Sequence, residues 1–129
     1  MKNTTKKGEK EMSYDATNVF AKILRGEIPC KKIYENDDVL AFYDIAPKAK
    51  IHALVITKGM YTDFQDFMEH SSDKEISDFF RSILTVVNML GLKEEGYRLV
   101  MNTGKNSGQE VPHLHAHILG GEPLTDHTL

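Results

Sequence analysis

The sequence predicts an α+β domain with a mainly antiparallel sheet of about five strands, one long helix and one short helix. Three observations carry that expectation. Only residues 72–90 repeat apolar side chains at helical spacing over several turns. About five short runs of β-branched and apolar residues flank it, without the regular strand–helix alternation of a doubly wound fold. The chain of 129 residues suffices for one domain with a real core, and no internal repeat or linker divides it.

The elements follow in order. Residues 1–15 are polar and lysine-rich with no apolar period, and read as a disordered leader; Met12 opens a more ordinary start, so what precedes it reads as an upstream extension. The domain is then residues 16–129, ending in a short tail. Asn18 suits the N-cap of a short helix over residues 19–24, stopped by Gly26 and Pro29. Residues 32–35 and 39–43 are strands, and Asn36-Asp37-Asp38 between them makes a turn, so a hairpin is expected. A loop containing Pro47 leads to residues 51–57, which are apolar on both faces like a covered central strand. Ser72-Asp73-Lys74-Glu75 fits a capping box for the long helix. Its broad stripe of Ile76, Phe79, Phe80, Ile83, Leu84, Val87 and Leu90 is read as core, with Gly91 ending the helix. Residues 97–102 and 112–119 are the last two strands, separated by the Gly-rich stretch 103–110.

Composition excludes several function classes. Apolar residues make up 40% and charged residues 27%, as in an ordinary globular protein. A net charge of −3 and a pI near 6.0 leave no basic patch for nucleic acid. Cys30 stands alone, so no internal disulfide can form, which fits a reducing compartment. Neither a secretory segment nor a bilayer-spanning run is present, and a cytoplasmic protein with no membrane partner is expected.

The chemistry gathers at the end of the chain. In Pro112-His113-Leu114-His115-Ala116-His117-Ile118-Leu119, three of the six histidines fall within five residues. Strand alternation would put all three imidazoles on one face, roughly 6.5–7 Å apart at Cα. Neutral imidazole is a nucleophile and base near pH 7, and imidazolium is an acid. A histidine attacking phosphorus needs one ring nitrogen free and the other bonded, usually to a carbonyl. The preceding Gly104 and Gly108 let backbone N–H groups approach an anion, and Asn102, Ser107 and Gln109 offer side-chain donors. Together these features point to nucleotidyl or phosphoryl transfer through a histidine.

The run from Gly108 through the three histidines to Gly120-Gly121 resembles the signature of the histidine triad (HIT) superfamily, with the nucleotide-binding Hint branch most similar. The resemblance extends through residues 19–29, 40–47 and 52–56, and covers the chain from Asn18 to Pro123. It implies a HIT-like fold and a purine nucleoside phosphoramidase needing no cofactor or metal. By position it makes His115 the nucleophile, with His113 orienting it, His117 on the phosphate and His52 a fourth histidine of the site. It places Asp44 on the ribose hydroxyls. Phe20, Ile23, Ile28, Phe42 and Ile45 would wall the base pocket, and Asn102, Gly108, Gln109 and Glu110 would lie on the phosphate side. A homodimer with a continuous sheet is also implied. Glu110 departs from the serine of animal members, and the tail lacks their tryptophan.

Other readings stand beside this one. Histidines alternating on a strand can ligate zinc, with His52 or His127 as further donors. The pocket would equally serve a nucleotide-binding regulatory module without turnover, and a dinucleoside polyphosphate hydrolase is the nearest enzymatic alternative. His70 is read as solvated, and Cys30 is assigned no role.

Overall fold

Residues 13–125 are described in this computed structural model, and among them lie five strands and the α-helices Val19–Leu24, Phe64–His70 and Asp73–Met89. Helix α1 (Val19–Leu24) starts where Asn18 accepts the Ala21 N–H at 2.9 Å, which satisfies one of the open amides of the first turn. Strands β1 (Lys32–Glu35) and β2 (Val39–Tyr43) form the expected hairpin. The Asn36 side-chain oxygen accepts the N–H groups of both Asp38 and Val39, each at 2.9 Å, and so builds the turn. Strand β3 (Ile51–Thr57) pairs with β2 on one side and with β5 (His115–Gly120) on the other. Strand β4 (Tyr97–Val100) lies outside β5, giving the order β1-β2-β3-β5-β4 with every pair antiparallel. The last strand therefore inserts beside the centre of the sheet, and its histidines come with it.

The sheet has two buried faces. On one, Val39, Ala41, Ala53, Val55, Ala116 and Ile118 pack against the long helix. On the other, Leu40, Phe42, Leu54 and Ile56 pack against Phe20 of α1. Register puts the histidines on this second face: Leu54 is opposite His117, Ile56 is opposite His115, and His52 is opposite Leu119.

The long helix, Asp73–Met89, carries the expected capping box between Ser72 and Glu75, and Gly91 follows it at φ 71°. Its buried stripe is narrower than predicted. Phe79, Ile83, Val86 and Val87 are buried, whereas Phe80 and Leu84 are 40% and 52% exposed. One sheet face receives one stripe of the helix, and apolar residues beyond that stripe remain outside.

Three further differences emerge. A helix missed in the sequence, Phe64–His70, is capped by Asp63 and buries Phe67; numbered in chain order it is α2, and the long helix is α3. Seven residues are too few for a periodic stripe, and the Asp63 cap was its best signal. The histidine strand begins at His115, not Pro112, because Leu114 bonds its N–H to the Tyr61 carbonyl at 2.8 Å instead of joining the ladder. Finally, Tyr14 is buried at 7% exposure, so packing begins within the stretch read as a leader. Residues 1–12 and His127 lie outside the described residues. No helix among the described residues is long and apolar enough to cross a membrane.

Candidate active site

His52, His113, His115 and His117 are all buried on the α1 side of the sheet. The rings of His115 and His117 lie 5.0 Å apart at 73°, and Phe20 packs edge-on to His115 at 5.0 Å. Each ring nitrogen can be assigned from its partner, because a carbonyl only accepts and a backbone N–H only donates.

His115 holds its Nδ1 at 2.6 Å from the His113 carbonyl oxygen, so Nδ1 carries the proton. Its Nε2 is left with a lone pair on the cavity that the ring lines. His52 has the opposite arrangement. The Lys48 backbone N–H donates to His52 Nδ1 at 3.0 Å, so Nε2 carries the proton and donates to His117 Nδ1 at 2.9 Å. His117 is thereby left with Nε2–H. Two adjacent imidazoles thus offer a lone pair and a donor, set by two separate backbone contacts.

Burial favours the neutral rings. It pushes His115 and His52 below the ordinary histidine range, Asp44 opposing in both and the His113 carbonyl also opposing at His115. His117 falls to about 4 through burial first, then through His115, His52 and Lys48, against the pull of Asp44. His113, bonded through Nε2 to the Thr57 carbonyl at 2.7 Å, also falls to about 4, mainly by burial.

Two adjoining cavities share Phe20, Asp44, Leu54 and Val111. The polar one, about 280 Å³, is lined by His115, His117, Lys48, Asn102, Gly108, Gln109 and Glu110. The apolar one, about 730 Å³, is lined by Ile23, Ile28, Phe42 and Ile45 among others. Ile45 is 99% exposed and stands on its rim. Asp44 lies where the two meet, with Oδ1 taking the Ala46 N–H at 2.8 Å and Oδ2 3.5 Å from His52 Nε2.

The Gly-rich loop differs from its expected role. Gln109 gives both amide hydrogens to carbonyls, those of Thr62 and Val111, and its oxygen takes the Gly104 N–H. The Ser107 hydroxyl donates to the Gly104 carbonyl, and the backbone amides of Ser107, Gly108 and Gln109 close within the loop. These donors shape the cavity wall and are not open to an anion. The Asn102 side-chain amide, by contrast, has no hydrogen-bond partner among the described residues, and Asn102 lines the same cavity. Gly104 and Gly108, at φ 78° and 79°, bracket the 3₁₀ turn Lys105–Ser107 and permit this folding-back.

Lys48 was missed in the sequence, where it carries no signal beyond its place between Asp44 and His52. Tyr14 and Thr57, which hold His113, were missed as well. For a cation, Asp44, His52 and His117 offer three ligand atoms within 4.8 Å of one another.

The HIT domain pattern matches residues 25–124. The chain belongs to the HIT family. An uncharacterised HIT-like protein of Azospirillum brasilense is 50% identical over 112 residues, covering 87% of this chain and 92% of that protein. The purine nucleoside phosphoramidase of Escherichia coli K12 is 40% identical over 107 residues, covering 82% of this chain and 88% of the enzyme. A solved histidine triad protein from Clostridium difficile superposes with a TM-score of 0.77 at 40% identity, over 88% of this chain and 97% of that one. The five-stranded antiparallel sheet with the histidines near its centre is thus the HIT fold.

Proposed function

We propose that this chain hydrolyses purine nucleoside 5′-phosphoramidates, or related purine nucleotide conjugates, to the nucleoside monophosphate through a nucleotidyl-His115 intermediate. One observation carries the reading: the His113 carbonyl bonds His115 Nδ1–H and leaves Nε2 as a lone pair on the polar cavity. The 40% identity to the E. coli phosphoramidase supports the substrate class.

The steps follow from the ring assignments. His115 Nε2 attacks the α-phosphorus, and the phosphorus–nitrogen bond to the amine breaks. The amine leaves carrying a proton taken from solvent, and the water that later attacks phosphorus returns one proton to solvent. The cationic ring that forms on His115 is stabilised by its Nδ1–H bond to the His113 carbonyl. His117 Nε2–H is placed to bond a phosphoryl oxygen. Water then adds to phosphorus, the bond to Nε2 breaks, and the nucleotide departs. Asp44 receives the ribose hydroxyls, Phe20, Ile23, Ile28, Phe42 and Ile45 hold the purine, and Asn102, Gly108 and Glu110 face the phosphate side.

A homodimer fits this reading. The outer edge of β4 has no neighbouring strand among the described residues, and Tyr97 and Leu99 on it are 39% and 48% exposed. Pairing of two such edges would extend the sheet across both copies.

The test is AMP release from adenosine 5′-phosphoramidate in excess chelator, comparing the unmodified chain with His115→Ala. Release that the substitution abolishes supports the reading. Tight AMP binding without turnover would instead favour a regulatory nucleotide-binding module, and faster cleavage of a diadenosine polyphosphate would favour the sister hydrolase. A second reading rests on the Asp44, His52 and His117 donors. Activity lost in chelator and restored by zinc would favour that one.

A further inference from the structure

The ring of His113 faces away from the cavity, yet both of its nitrogens are engaged. Nε2 donates to the Thr57 carbonyl at 2.7 Å, so Nδ1 is an acceptor, and the Tyr14 hydroxyl is bonded to it. Tyr14 in turn accepts from Asn18 Nδ2 at 3.0 Å, and the same amide donates to the Asp15 carbonyl at 2.8 Å. The Asn18 side-chain oxygen is the α1 cap. A turn closed by the Asn18 N–H on the Asp15 carbonyl thus ties Tyr14 to the start of α1. His113 is fully buried, and the Tyr14 ring meets it edge-on at 5.7 Å.

We propose that Tyr14 is a positioning residue for the candidate active site: its hydroxyl fixes the His113 ring, and through His113 it fixes the carbonyl that orients His115. The inference rests on the reading of His115 as the nucleophile. Its physical basis is that His113 precedes the ladder and so lacks β-sheet hydrogen bonds. Its backbone N–H reaches only the Val111 carbonyl, at 2.8 Å. Side-chain anchoring at both ring nitrogens replaces that support. With the phenol removed, one ring nitrogen becomes a buried acceptor without a donor, and the ring can turn about its remaining bond. The carbonyl two residues before the nucleophile then loses its fixed aim, and a misaimed nucleophile costs rate more than affinity.

Tyr14→Phe keeps the ring and its packing and removes only the hydroxyl. Two readouts separate the proposal from the proposed function. In ¹⁵N spectra, the substitution should move His113 Nδ1 toward the position of an unbonded ring nitrogen and should perturb the His115 Nδ1–H signal. In kinetics on adenosine 5′-phosphoramidate, measured well below the variant's melting temperature, kcat should fall about tenfold while KM stays unchanged. Unchanged ¹⁵N signals, unchanged kcat or a loss confined to KM would each overturn the proposal. If the unmodified chain shows no turnover, the proposed function fails. The His115 signal then decides for or against Tyr14 on its own.

Discussion

The His52 and His117 rings share a hydrogen bond of 2.9 Å from Nε2 to Nδ1, and its direction is set at the far side of His52 by the Lys48 backbone amide. A main-chain contact in a loop thereby decides which atom His117 offers to a ligand. His115 is set independently, by the carbonyl of His113. His115 and His117 are thereby poised in complementary states, one with a free lone pair at Nε2 and the other with a donor there.

The first expectation concerns those tautomers. At pH 7.5, ¹⁵N spectra should show His115 protonated on Nδ1, and His52 and His117 protonated on Nε2. Protonation of His117 on Nδ1 would contradict the assignment and remove the donor that the proposed mechanism places on a phosphoryl oxygen.

Stability should depend on pH through the buried histidines. Their folded-state pKa values lie below the ordinary 6.5, so the unfolded chain binds more protons as pH falls through that range. The stabilisation is complete above about pH 6.5 and is lost as pH drops toward 4. For His113 alone, a displacement from 6.5 to about 4 corresponds to about 3 kcal/mol. The melting temperature should therefore decline between pH 6.5 and 5, before most carboxylates titrate. A flat profile there would mean that the rings charge freely in the folded state.

Lys48 opposes the charging of both His52 and His117. Lys48→Met retains the backbone N–H and should raise both histidine pKa values, each by less than about one unit. An NMR titration measures this directly, and a fall in either value would contradict the electrostatic account.

Asp44 is expected to recognise the ribose. Asp44→Ala should weaken AMP binding about tenfold or more while scarcely changing binding of the 2′,3′-dideoxy analogue. Calorimetry on both ligands checks this, and equal losses would place Asp44 elsewhere in the mechanism.

Much of this architecture is legible in the sequence because local chemistry and pattern agree. Asn18, the Asn36 turn and the Ser72–Glu75 box each satisfy backbone groups a few residues away, and each took its expected place. The His52–His117 bond spans 65 residues and depends on β5 entering beside β3, which no local pattern specifies. Tyr14 is a stronger case, since its partner is 99 residues away and its surroundings are polar. Gln109 shows the converse limit: its residue type suggested a donor to the ligand, while folding turned both of its hydrogens inward.

The central claim is that His115 carries the nucleotide during turnover. Adenosine 5′-phosphoramidate in excess should be mixed with the chain, quenched within the first turnover in alkaline denaturant, and the protein examined by intact mass and peptide mapping. The account requires a transient mass increase of one AMP, located on His115 and absent from His115→Ala. Full turnover with no adduct, or an adduct on another residue, would contradict it.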